Sequence, residues 1–229
     1  LCDRRQRQMC IRDRSKKMMM DSLALYNALT DSVTCAKYGY TPQTILCMFI
    51  PNTYELYWNI SVDKFLDKMN KECNKFWNFE RTQKAKAMNL TKEEVITMAS
   101  IVDEETANDD EKPMIAGMYY NRLKAGMPLQ ADPTIKFALN DFSIKRIYIN
   151  MLAVKSPYNT YKNIGLPPGP IRIPTVAGID AVLNHVHHKY LYMCAKEDFS
   201  GTHNFAETYE EHLKNAAKYS EALNNRGIK

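Results

Sequence analysis

Apolar residues along this chain recur mostly at intervals of three and four, with few alternating runs, and that spacing predicts a helix-rich fold. The first periodic stretch is Met18–Leu29, with Leu23, Leu25, Tyr26 and Leu29 on one face. A loop around Gly39-Tyr40-Thr41-Pro42 follows. The short apolar run Thr44–Ile50, closed by Pro51-Asn52, fits either a strand or a buried turn. Ser61–Lys86 reads as one long helix, with Phe65, Met69, Cys73, Phe76 and Trp77 three and four apart.

The next helix is the best specified. Thr91 and Glu94 form a capping box, in which the hydroxyl and the carboxylate each satisfy the other's backbone N–H. Val95, Met98, Ala99, Ile101, Val102 and Glu105 then follow the helical period, so Glu105 continues the apolar face while Asp103 and Glu104 rotate away from it. A second helix spans about Glu111–Ala125, with Asp109 or Asp110 as its cap, Pro113 in its first turn and Gly126 at its end. Asp132-Pro133-Thr134 opens a third, carrying Ile135, Phe137, Ala138 and Leu139. Prolines and glycines impose an irregular path on Lys155–Pro174. Thr175–His187 is helical again, Tyr190–Ala195 and Gly201–Phe205 read as paired strands, and Ala206–Asn225 closes the chain as a helix. The fold class is α+β, helix-rich, with a small β-sheet.

The formal charge of +5 alters little, because residues 1–17 hold seven basic and two acidic residues, leaving 24 of each sign elsewhere. Without a basic surplus the folded part has no electrostatic case for binding nucleic acid. Residues 1–16 have no amphipathic period and read as non-native sequence of the translated-adaptor kind or as a disordered basic tail. No run of 18 apolar residues is present, so no transmembrane helix is expected within the chain. The six cysteines include no C-x-x-C pair, and either buried thiols or disulfides fit them. His185, His187 and His188 do not share a helix face, so no metal site is expected, and no cofactor is called for.

Glu105 is the residue whose position demands an explanation. A carboxylate on a buried stripe costs free energy unless it is paired or protonated, and the negative pole of a helix end acts in the same direction. Both effects raise its pKa, which is what a general acid for a glycosidic oxygen requires. The plainer reading is a helix-end acid satisfied by a basic residue such as Arg122.

The motifs S-I-V-D-E-E-T (100–106), Y-N-R-L-K-A-G-M-P-L-Q-A-D-P-T (120–134) and Y-N-T-Y-x-x-x-G-L-P-P-G-P-I (158–171) resemble those of the MltG (YceG-like) endolytic murein transglycosylases. Pro51-Asn52-Thr53-Tyr54 and Gly201-Thr202-His203-Asn204-Phe205 match two further elements of that family in the same order. The family's catalytic acid falls on Glu105, with Asp103 and Glu104 departing from the E-K-E-T core. The resemblance implies a lyase that cuts the MurNAc-β-1,4-GlcNAc bond of peptidoglycan strands and leaves 1,6-anhydroMurNAc ends, terminating nascent strands. Asn121, Arg122, Gln130, Asp132, Asn159, Tyr161 and His203 are the candidate substrate-binding residues; Asp132 is equally readable as a helix cap.

The resemblance also implies a YceG-like catalytic domain over 17–229, divided into an N-terminal part (17–88) and a catalytic core (89–229), and truncated before a membrane anchor and a LysM-like region. With it come glycan strands and glycan-polymerising synthases as partners, and a single-pass inner-membrane protein with its catalytic domain in the periplasm, held there by a segment absent from this chain. Two other readings fit the residues. One is a non-catalytic glycan-binding or scaffold protein of the cell wall. The other is a muramidase-type hydrolase, with Asp103 or Asp132 as second carboxylate.

Overall fold

The structure, a computed structural model, describes residues 19–144 and 146–226. The basic segment 1–16 therefore lies outside the described residues. Nine α-helices are present among the described residues: α1 (Ser22–Thr30), α2 (Ser32–Lys37), α3 (Val62–Phe76), α4 (Phe79–Ala87), α5 (Lys92–Glu105), α6 (Lys112–Lys124), α7 (Asp132–Leu139), α8 (Val176–Leu183) and α9 (Tyr209–Asn225). One antiparallel hairpin joins β1 (Tyr192–Ala195) to β2 (His203–Ala206), pairing Tyr192 with Ala206 and Ala195 with His203. The α+β, helix-rich reading of the sequence holds. Among the described residues no helix is long and apolar enough to cross a membrane.

The core is centred on α5. Both halves of its capping box form: Glu94 N donates to Thr91 Oγ1 at 3.2 Å, and Thr91 N to Glu94 Oε2 at 2.8 Å. From Val95 to Asp103 every residue is buried, so α5 is enclosed on all sides, chiefly by α8 and α6. A single apolar stripe predicted less enclosure than this. Thr91→Ala should cost about 1 kcal/mol through loss of the cap, read as a lower urea midpoint with unchanged slope.

That enclosure corrects the expectation for Asp103, which is buried instead of turned to solvent. Lys112 Nζ from the start of α6 lies 2.7 Å from Asp103 Oδ1, and Thr175, the cap of α8, donates its backbone N–H and its hydroxyl to the same carboxylate. Gly178 lets α8 come this close, because a Cβ there would collide with the Asp103 carboxylate. Burial works to discharge Lys112, but its bonds to Asp103 and Asp109 outweigh that and raise its pKa. Ser100 Oγ accepts from Ile171 N at 3.0 Å, fastening the Pro/Gly segment across the same helix.

Several boundaries differ from the periodicity, each for a local reason. The helix expected over Ser61–Lys86 breaks at Trp77-Asn78: the indole is buried, and Asn78 accepts from Arg81 N at 2.9 Å to start α4. Leu23 is 62% exposed and lies off the apolar face of α1. The run at Thr44–Ile50 is a buried 3-10 turn over Ile45–Met48. The residue before α6 is Glu111, not Asp109 or Asp110, and its side chain makes no cap; Asp109 pairs with Lys112 instead. The helix expected over Thr175–His187 ends at Leu183. Cys35, Cys47, Cys73 and Cys194 are free thiols.

Candidate active site

Glu105 ends α5, half-buried, with Thr106 turning away in extended conformation. The two acids before it are taken up by cations, Asp103 by Lys112 and Glu104 by Arg172. Glu105 accepts instead from a neutral donor, the hydroxyl of Tyr119, at 2.5 Å. Arg122, the basic partner considered from the sequence, has its donors elsewhere. Burial pushes the Glu105 pKa up to about 7, helped by the charges of Asp132 and Glu104 and opposed by the Tyr119 bond and Lys136. At neutral pH this carboxyl is thus divided between its acid and its base form.

The raised pKa has a thermodynamic signature. A carboxyl that holds its proton more tightly when folded contributes stability that is complete below about pH 4.5 and is lost as pH rises through about 7. Glu105→Gln removes that loss. The variant should match the parent near pH 4.5 and exceed it by about 2 kcal/mol above pH 8, measured as urea midpoints at the two pH values.

The loop after α6 brings further polar groups to the same place. Gly126 turns the chain with φ +65°, and Gln130 also holds a left-handed backbone, φ +55°, uncommon for a residue with a Cβ. Two bonds fix it: Gln130 N donates to Thr160 O at 3.0 Å, and Gln130 Oε1 accepts from Arg122 Nη2 at 2.6 Å. Arg122 also donates to Pro128 O and to Leu191 O, so one buried guanidinium ties α6, the loop and the hairpin together. Asp132 opens α7 without capping it and accepts from the hydroxyl of Tyr161 at 2.5 Å. His203 on β2 is held by Glu111, its N–H at 2.6 Å and its Nδ1 at 3.1 Å from the two carboxylate oxygens.

Glu105, Arg122, Gln130, Asp132, Tyr161 and His203 line one cleft of about 480 Å³. Asn121 and Asn159 do not line it. The Asn121 amide bridges the carbonyls of His188 and Tyr190 at 2.7 and 3.1 Å. Asn159, fully buried, donates to Leu152 O and Val154 O and accepts from Tyr161 N, so it is the spine of the Pro/Gly turn. His188 Nε2 lies 2.9 Å from Met114 O, within the framework. Among the described residues no three His, Cys, Asp or Glu side chains are placed to hold a metal ion.

The cleft also holds groups that sequence reasoning missed: Tyr119, and the aromatic side chains of Tyr192, Tyr209 and His212. Nothing in the spacing of Tyr119 marks it, since its partner lies 14 residues away on another helix. Tyr209 and His212, three apart at the start of an amphipathic helix, carried a readable signal.

Comparison with known proteins agrees over most of this framework. The profile of the YceG-like family matches residues 4–218. A protein of Bacillus subtilis (strain 168) named endolytic murein transglycosylase is 35% identical over 164 residues, covering 72% of this chain and 44% of the relative. One of the same name from Streptococcus pneumoniae (strain R6) is 32% identical over 173 residues, covering 74% and 31%. The chain thus spans less than half the length of these curated relatives. A crystal structure of a yceG-like protein from Listeria monocytogenes superposes with a TM-score of 0.76 at 28% identity, over 91% of this chain and 72% of that one.

Proposed function

The chain belongs to the YceG-like family, and on that premise we propose that it is an endolytic peptidoglycan lytic transglycosylase with Glu105 as its catalytic acid. The observation that carries this reading is a cleft-lining carboxyl whose pKa stands at about 7 and whose partner is a tyrosine hydroxyl instead of a cation. In its acid form Glu105 gives a proton to the glycosidic oxygen between MurNAc and GlcNAc as the bond from that oxygen to C1 breaks. The carboxylate left behind takes the proton of the muramoyl 6-hydroxyl, whose oxygen closes on C1. One group serves in both directions, the proton count returns to its start, and no water is consumed.

Tyr119 occupies one carboxyl oxygen of Glu105, which leaves the other to carry and deliver the proton. Gln130, Asp132 and Tyr161 supply donors and acceptors for sugar hydroxyl and acetamido groups. Asn121 and Asn159 act on the framework, not on the sugar. Cleavage within growing strands would end their elongation, at the outer side of the cell membrane and beside the synthases that polymerise them.

Asp132 supports one rival reading. It is a second carboxylate in the same cleft, and a muramidase-type hydrolase needs two. Mass spectrometry of digested, peptide-free glycan strands separates the two. Ends lighter by one water than a reducing muramic acid are expected; hydrated ends would assign a hydrolase, and intact strands a binding protein.

A further inference from the structure

We propose that Tyr192, Tyr209 and His212 form a saccharide subsite of this cleft, an aromatic surface that receives the apolar face of an N-acetylhexosamine ring next to the bond being cut. The inference rests on the glycan reading above and adds to it a place for the strand to lie. All three side chains line the cleft that holds Glu105. Tyr192 stacks on His212, ring centres 5.5 Å apart and planes 26° apart, and Tyr209 stands 5.8 Å from Tyr192 and 6.1 Å from His212. The guanidinium of Arg122 sits 5.6 Å from the Tyr192 ring, tying this surface to the loop that carries Gln130.

The cluster is poorly explained as packing. Tyr209 is 59% exposed, and no residue of α9, from which it and His212 project, is fully buried. A large ring left open beside a polar cleft gains little from the fold. His212 does not make a protein hydrogen bond through Nδ1, which is buried without a partner among the described residues. Burial, and behind it the charge of Arg122, hold its pKa below the ordinary value and favour the neutral ring. A neutral stacked imidazole and two phenol rings suit a pyranose, which offers C–H groups on one face and hydroxyls at its edge. Thr208 and Glu211 fix the platform by capping α9 with a reciprocal box, so Tyr209 and His212 project from a defined first turn.

Steady-state cleavage of peptide-free glycan strands tests the subsite with three variants. Tyr209→Ala should raise KM at least fivefold with kcat within twofold of the parent and an unchanged melting temperature. Tyr209→Phe, which keeps the ring, should restore most of the lost affinity. Leu213→Ala, at a residue 49% exposed on the same helix but outside the cleft, should behave as the parent. A parental KM for Tyr209→Ala overturns the proposal. So does equal weakening by Tyr209→Phe, which would assign the effect to the hydroxyl, or by Leu213→Ala, which would assign it to the helix.

If the parent chain releases no product at all, the functional reading fails, and the subsite is judged separately by binding. Calorimetry with β-1,4-linked N-acetylglucosamine oligosaccharides should then show at least fivefold weaker binding for Tyr209→Ala than for the parent. Equal affinity, or no binding by either, overturns the subsite.

Discussion

Replacing Glu105 by Gln should lower turnover of glycan strands by about 10³-fold or more while leaving strand binding within a few-fold of the parent. The size of the effect follows from the double duty of the group. A general acid alone is worth roughly 10² to 10⁴ in rate, and in the mechanism proposed above the same side chain also accepts the proton of the attacking hydroxyl. An amide does neither. Its carbonyl oxygen still accepts from Tyr119 and its volume is the same, so the cleft keeps its shape. Product release from purified strands, followed by chromatography, gives the rate; co-sedimentation with insoluble peptidoglycan gives the binding. The urea measurements proposed for the same variant guard against a trivial cause, because a chain more stable than the parent above pH 8 and yet inactive has lost chemistry, not structure. Activity retained within tenfold would remove Glu105 from the mechanism.

The second large effect concerns stability. Lys112→Met should destabilise the domain by about 3–5 kcal/mol, the usual cost of leaving one member of a buried ion pair without its counter-charge. Asp103 would keep the two donors of Thr175 but lose the full positive charge of Lys112 beside it. The change should show as a fall of several degrees in the melting temperature and a loss of the cooperative baseline at 37 °C. Adding Asp103→Asn should recover part of the loss, since the amide oxygen still accepts from Thr175 and no uncompensated charge remains. A double variant no better than Lys112→Met alone would mean that packing of the lysine stem, not its charge, holds the three helices together.

These two residues also mark the limits of what the sequence conveyed. Glu105 was legible because helical phase and the capping box at Thr91 place it on a buried face without reference to any neighbour. Asp103 was not, because its burial depends on α8 and on a lysine nine residues along, and a helical wheel contains neither. The break at Trp77-Asn78 was missed for a related reason: the apolar period continues across it, and only the buried indole shows that the chain must turn. Gln130, Asp132, Tyr161 and His203 came from ordered motifs, and all of them line the cleft with Glu105. Asn121 and Asn159 came from the same motifs, yet their amides are used up on backbone carbonyls. A motif records that a polar residue matters in the fold family; it does not say whether the residue faces substrate or scaffold. The spacing of Tyr209 and His212 was readable, but their meeting with Tyr192 was not, because it is a product of the hairpin and the last helix together.

The bonds that fasten the cleft join residues far apart along the chain: Ser100 with Ile171, Asp103 with Thr175 and Arg122 with Leu191 are separated by 71, 72 and 69 positions. Contacts of such span close late in folding, since loop entropy must be overcome before they stabilise anything. On a ribosome, which releases the N-terminal part first, α5 can form and carry its acid while the hairpin and α9 are still unmade. Chain growth thus separates possession of Glu105 from possession of the assembled cleft, which exists only once residues up to His212 have emerged and docked.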